Sequence, residues 1–232
     1  MISLLLLGFL LGMRHALEAD HVAAVASLAT QNHSLKETVR QGIAWGMGHT
    51  ITLFLFGSIV IWMNSVIPEQ LAQALEFAVG VMLVLLGFDV MRRLVKNRIH
   101  FHSHSHQSGE THFHAHSHAD NKQHDLEQHH HTHPQQFPYR ALFIGLMHGM
   151  AGSAALILLT LNTVQSPTMA MVYIALFGAG SILGMALLST VIAIPLRNSA
   201  TGLTWLHNGL QLTVSVTTII LGCLIIYDNG MV

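Results

Sequence analysis

The chain has 232 residues, of which 51% are hydrophobic and 9% charged, and its mean hydropathy is +0.50. Those values lie outside the range of soluble globular domains and inside that of polytopic membrane proteins. A net charge of -1 gives no long-range pull on nucleic acid or anionic substrates, and the single cysteine, Cys223, excludes an internal disulfide and a multi-thiolate metal centre.

Crossing a hydrocarbon core of about 30 Å takes about 20 apolar residues. Six stretches qualify, at residues 3–29, 40–63, 72–95, 139–163, 168–195 and 204–227. The first opens with Ile2 to Met13, which lacks a basic leader and a small-residue cleavage site, and its apolar pattern resumes at Val22. It therefore reads as the outer half of a span and not as a signal peptide. In its middle stands Arg14-His15-Ala16-Leu17-Glu18-Ala19-Asp20-His21. Ionisable side chains at that depth cost at least a few kcal/mol each unless paired or liganded, so they mark a functional site. On an ideal helix of about 100° per residue, His15, Glu18 and His21 share one face with Arg14, while Asp20 points elsewhere. Asp20 joins the group only where the helix is unwound or another helix meets it. Arg14 and Glu18, four residues apart, are spaced to neutralise each other.

The second span carries Gly48-His49-Thr50, and the third ends in Leu86-Gly87-Phe88-Asp89. A polar tract from Asn97 to Phe137 follows and holds 13 of the 19 histidines, among them His100, His102, His104, His106 and the run His129-His130-His131. Such a segment cannot bury a core and is expected to be disordered when free. Histidines in this pattern bind divalent transition metals with little selectivity, which suits buffering, delivery or sensing. The fourth span places His148 in Gly145-Leu146-Met147-His148-Gly149-Met150-Ala151-Gly152-Ser153. From the helical rise, His15 lies roughly 18 Å below one membrane surface and His49 and His148 roughly 13 Å from the other, so all three converge near mid-depth. His33, Asp89 and His207 fall at helix ends and read as solvated or capping residues. Glu76 and Gln211 are matching polar positions within spans.

Lys36, Arg40, Arg92, Arg93, Lys96, Arg98, Lys122, Arg140 and Arg197 all fall in loops on one side. The positive-inside rule makes that side cytoplasmic, with both termini extracytoplasmic and the chain multi-pass in the cytoplasmic membrane. Residues 1–96 and 139–232 look like copies around the loop 97–138. Gly12 to His15 aligns with Gly145 to His148, Trp45 to His49 with Phe177 to Ser181, and Leu85 to Phe88 with Ile220 to Cys223. Three spans per copy require the second to be inverted. The expected fold is all-α: six transmembrane helices as a 3+3 inverted repeat with a disordered, His-rich cytoplasmic loop.

Imidazole with carboxylate suits nickel, cobalt or zinc, whereas copper(I) favours thiolate or thioether and magnesium or calcium favours oxygen alone. His15, Glu18, Asp20, His21, His49 and His148 are therefore the candidate metal-site residues. Met13, Met47, Met147 and Met150 stand near them, a position in which methionine more often packs than ligates. No GxxxxGK motif is present, so transport would draw on the membrane potential, a proton gradient or a partner. The spacing is not the His-Glu-x-x-His of a metalloprotease, which argues against an intramembrane enzyme. A membrane-anchored metal store or sensor, with the loop as its active part, is a further reading.

RHALEADHV at Arg14 to Val22 resembles the signature of the nickel/cobalt transporter family, in which a His precedes Asp-His within a transmembrane helix. Gly48-His49-Thr50 resembles that family's second motif. Gly145 to Ser153 resembles the corresponding helix of its six-span branch, that of urease-accessory-type, high-affinity nickel permeases. The resemblance implies a permease for Ni²⁺ or Co²⁺, with His15, Asp20, His21 and His49 as the matching recognition positions. Glu18 stands where many relatives carry Asp, and no role carries over to Asp89, which lies at a helix end. The metal ion is then cargo, with no resident cofactor. The partners implied are the bilayer and a cytoplasmic nickel acceptor or metallochaperone. Uptake, with release of the ion on the cytoplasmic side, is the leading expectation; because a His-rich cytoplasmic loop also resembles that of efflux proteins in the same superfamily, efflux is the alternative.

Overall fold

The computed structural model describes residues 2–31, 34–63, 68–96, 100–105, 111–116, 137–151, 166–202 and 204–230. Among them the chain forms helices α1 (Ile2–His15), α2 (Ala19–Ala29), α3 (Leu35–Met63), α4 (Glu69–Lys96), α5 (Tyr139–Ala151), α6 (Pro167–Gly202) and α7 (Thr204–Gly230). Four of them are long and apolar enough to cross a membrane: α3, α4, α6 as far as Ser199, and α7 from Trp205. Their outer faces carry large exposed hydrophobics, among them Leu55, Ile59, Leu85, Phe88, Val191 and Ile220. Apolar surface of this kind on fully hydrogen-bonded helices belongs against lipid tails.

The first stretch is not one continuous helix. It breaks at Ala16 to Glu18, where Leu17 N–H donates to the Arg14 carbonyl at 2.9 Å and Glu18 N–H to the His15 carbonyl at 3.0 Å. These short-range bonds tighten the end of α1. The α-helical pattern restarts when Val22 N–H reaches the Glu18 carbonyl at 2.9 Å. The polar tract also differs from expectation. Part of it forms an antiparallel ribbon, β1 (His100–Ser105) with β2 (Thr111–His116), pairing His100 with His116 and His104 with His112. Alternating sequence at period two is what a strand requires, and polarity alone concealed it. The rest of that tract, His33, and the second half of the expected fourth span, residues 152–163, lie outside the described residues.

Helix α4 packs along α7, α3 along α5 and α6, and α1 along α6, with α2 wedged against α4, α6 and α7. Helices approach closely where a residue lacks a side chain. A Cβ on Gly12 of α1 would strike the Phe177 carbonyl of α6, and one on Gly145 of α5 would strike the Trp45 carbonyl of α3. On α4 and α7, a Cβ on Gly80 would sit 2.9 Å from the Gly222 carbonyl and one on Gly222 would sit 2.7 Å from the Gly80 carbonyl.

The core around these crossings is built from small and aliphatic side chains, including Ala24, Val25, Leu28, Leu83, Leu86 and Met185, with Trp45 at its centre. Its polar atoms are paired where helices meet. Ser27 Oγ lies 3.1 Å from Thr218 Oγ1, which donates to the Val214 carbonyl at 2.7 Å, and Ser215 Oγ donates to the Gly87 carbonyl at 2.8 Å. Interhelical hydrogen bonds within membranes contribute modestly. We expect Ser27→Ala to lower stability by only about 0.6 kcal/mol, read as a small fall in the melting temperature of the purified protein.

Candidate metal centre

The break after α1 determines the site. His15 ends α1, Glu18 lies in the break, and Asp20 and His21 occupy the first turn of α2. Helix α3 supplies His49 and α5 supplies His148. His21, His49 and His148 are at most 1% exposed. Their rings crowd one point: centroids lie 4.4 Å apart for His15 and His21, 4.2 Å for His21 and His148, and 5.2 Å for His15 and His49. His21 and His49 are likewise 5.2 Å apart, and His49 and His148 are 5.9 Å apart.

The carboxylates divide the imidazole nitrogens into two kinds. Asp20 Oδ1 accepts from the His21 backbone N–H and lies 2.9 Å from His21 Nδ1, and Asp20 Oδ2 lies 2.9 Å from His148 Nε2. Glu18 Oε1 lies 3.0 Å from His15 Nδ1. An ionised carboxylate only accepts, so each facing nitrogen carries the proton and the opposite nitrogen keeps its lone pair. Those opposite nitrogens, His15 Nε2, His21 Nε2 and His148 Nδ1, are buried without a hydrogen-bond partner among the described residues, as are both nitrogens of His49. Unpaired lone pairs in such number are costly to bury. A cation bound between them would satisfy them.

Two groupings have ligand atoms within 4.8 Å of one another, His15 with His21 and His49, and Asp20 with His21 and His148. Ligands about 2.1 Å from a single ion are at most about 4.2 Å apart, so small ring rotations close either set. Glu18 does not neutralise Arg14, as the sequence spacing suggested. With the helix broken between them, Glu18 turns to His15. Met47 is 41% exposed and so does not face the centre. Asp89 instead joins Arg140 at 2.7 Å and Arg93 at 3.3 Å, and His207 Nδ1 meets Ser199 Oγ and the Leu196 carbonyl, both at 3.2 Å. Asp89 thus lies within α4, against Arg140 in the first turn of α5, and not at a helix end as expected, whereas His207 does sit in the first turn of α7.

Sequence reasoning assigned no role to the walls of the site. Trp45 lies 5.5 Å from His21 and 5.6 Å from His148, and Phe177 lies 5.3 Å from His15. Alignment of the two halves was the signal that could have found them, because it pairs Trp45 with Phe177 as it pairs His148 with His15. The same alignment places Ser181 opposite His49, and Ser181 Oγ is buried without a partner among the described residues. A cavity of about 700 Å³ opens onto this cluster, lined by Arg14, His15, Glu18, Asp20, Glu76, His148, Asp228 and Asn229 among others.

Apolar helices enclose a buried imidazole–carboxylate cluster that opens onto a cavity, the arrangement of a membrane protein with the chemistry to bind a transition-metal cation. Comparison with known proteins supplies the particular family. Residues 1–227 match the family described as high-affinity nickel-transport protein. The chain is also 38% identical over 237 residues, covering 100% of it and 93% of the relative, to a urease accessory protein, UreH, of Bacillus sp. (strain TB-90). No solved structure matches. The chain belongs to the high-affinity nickel-transport protein family: it is a nickel permease, and not an enzyme.

Proposed function

We propose that the chain takes up Ni²⁺, and Co²⁺ by the same chemistry, across the cytoplasmic membrane as a secondary permease, through the His15–Glu18–Asp20–His21–His49–His148 cluster. The observation that carries this reading is the set of buried lone pairs on four imidazoles, three of them aimed by Asp20 and Glu18. On it, His15, His21, His49 and His148 replace the water of the incoming ion. Glu18 and Asp20 hold the rings in the required tautomer and offset the ion's charge, as carboxylates behind metal-bound histidines do. A potential negative inside favours entry of a divalent cation by about 4.6 kcal/mol per 100 mV, so uptake needs no nucleotide. The basic residues gathered in the loops on one side support a cytoplasmic His-rich segment with both termini extracytoplasmic, so that this segment and a nickel acceptor or metallochaperone would receive the ion.

The packing supports six spans in a 3+3 inverted repeat, with residues 1–96 and 139–232 as copies around the loop 97–138. Contacts recur under exchange of the halves: Gly12 on Phe177 matches Gly145 on Trp45, and Gly48 on Leu142 matches Gly180 on Phe9. On the third pair, Gly80 against Gly222 matches Ser215 against Gly87. In that arrangement the α1–α2 pair is the first span, α5 begins the fourth, and the break at Ala16 to Glu18 is the discontinuous helix at the substrate site.

The test is flux of radioactive Ni²⁺ in proteoliposomes under an imposed inside-negative potential, with Co²⁺ and Zn²⁺ as competitors. Inward accumulation is expected, and Asp20→Asn should reduce it about 10- to 100-fold, because an amide presents an N–H to one imidazole and reverses its tautomer. Accumulation only in the outward direction would make the chain an exporter, and undiminished uptake by the Asn variant would remove Asp20 from the site.

A further inference from the structure

The cavity above the imidazole cluster has a chemistry of its own. It is walled by four carboxylates, those of Glu18, Asp20, Glu76 and Asp228, against one guanidinium, Arg14. Glu18 and Asp20 are engaged with histidines at its floor. Glu76 and Asp228 are not: among the described residues neither has an ion-pair or hydrogen-bond partner, and both are exposed to the cavity. They are 152 positions apart in sequence (228 less 76) and line the same cavity because α4 and α7 run antiparallel through the Gly80–Gly222 crossing. Above that crossing, a Cβ on Gly230 would lie 3.4 Å from the Phe77 ring, which sets Glu76 level with Asp228 and Asn229. The Asn229 side-chain amide donates its N–H to the Ile225 carbonyl at 3.0 Å. Its oxygen is left as the acceptor in the same wall. At the inner end, His148 lines the cavity with a side chain 2% exposed and an unpartnered Nδ1.

We propose that Glu76, Asp228 and the Asn229 amide oxygen form an outer landing site for the hydrated divalent cation, from which it passes inward to His15 and His148. The site rests on the permease reading above and deepens it. All-oxygen ligation suits an ion that still keeps its water, while the nitrogen donors at the floor suit one that has lost it. A cleft lined by one sign of charge between low-dielectric walls focuses the field and raises the local cation concentration by about 10- to 1000-fold. The landing site thus sets how readily dilute metal is captured, and the imidazoles set how fast captured metal crosses.

The two roles separate kinetically. Radioactive Ni²⁺ uptake by the full chain in proteoliposomes, measured at about 10 mM ionic strength, should show Glu76→Gln/Asp228→Asn raising KM about tenfold with kcat within twofold. The gap should shrink at high salt, where the Debye length falls from about 30 Å to a few ångströms. Glu76→Lys should raise KM further, and the charge-preserving pair Glu76→Asp/Asp228→Glu should restore it, which a merely structural role would not. Should the double variant not fold, Glu76→Gln alone is expected to raise KM about threefold with the same salt dependence. An unchanged KM at low salt, or a loss of kcat at unchanged KM, would overturn the landing site while leaving the permease intact. Absence of flux in the wild type would overturn both.

Discussion

Replacing His21 by alanine should lower nickel uptake at least about 100-fold while leaving the protein in the membrane. His21 is the one residue common to both ligand groupings, that with His15 and His49 and that with Asp20 and His148. Its ring is the closest neighbour of two others, at 4.4 Å from His15 and 4.2 Å from His148. Removing it takes away a donor nitrogen and also withdraws one of the two side-chain N–H groups that hold Asp20. An Asp20 that has lost a donor costs about 1–3 kcal/mol, a loss a membrane bundle survives but a metal site does not. His148→Ala removes a member of one grouping only and should fall less far, by about 10- to 100-fold. The measurement is initial Ni²⁺ uptake normalised to protein in the membrane fraction, with size-exclusion profiles to show that the fold persists. Uptake by the His21 variant above a tenth of the wild type would show that His21 is not a required donor in either grouping.

Much of the centre was legible because intramembrane histidines are expensive. His15, His21, His49 and His148 could be placed at one depth from helical rise alone, and the structure brings their rings together. What could not be read was the division of labour between donors and carboxylates. Periodicity gives the face of a continuous helix, whereas Asp20 reaches His148 because α1 ends at His15 and α2 restarts at Ala19. A break of three residues is set by what the freed N–H groups find to bond with, here the Arg14 and His15 carbonyls, and no run-length rule registers it. Spacing alone left Glu18 two partners on its face, Arg14 at i,i+4 and His15 at i,i+3, and the structure pairs it with His15. Glu76 stood out as a polar position within a span, but Asp228 lies in the last helix, and only the antiparallel α4–α7 crossing brings both to one cavity. Trp45 was visible as a repeat position and not as a wall, since hydrophobicity makes every buried aromatic look alike.

The largest structural effect should come from the smallest change, a side chain at Gly145. A Cβ there would overlap the Trp45 carbonyl and lie 2.5 Å from Trp45 Cδ1. The obstacle is backbone and a fully buried indole, neither of which can rotate aside, so α3 and α5 must separate. Overpacking typically costs about 1–3 kcal/mol, more where backbone must shift, and Gly145→Val belongs at the upper end. The damage reaches the site as well, because Trp45 packs beside both His21, at 5.5 Å, and His148, at 5.6 Å. We expect Gly145→Val to leave little monodisperse protein after extraction and no uptake in what remains, with Gly145→Ala intermediate. Gly12→Val should behave alike, since its Cβ meets the Phe177 carbonyl and Phe177 flanks His15 at 5.3 Å. Gly209 supplies the contrast. A Cβ there meets nothing within 4 Å, and Gly→Ala inside a helix favours it by about 1 kcal/mol, so Gly209→Ala should match or exceed the wild type in melting temperature. The comparison isolates helix contact from helix propensity: equal tolerance at positions 12, 145 and 209 would mean that the close crossings do not hold the bundle together.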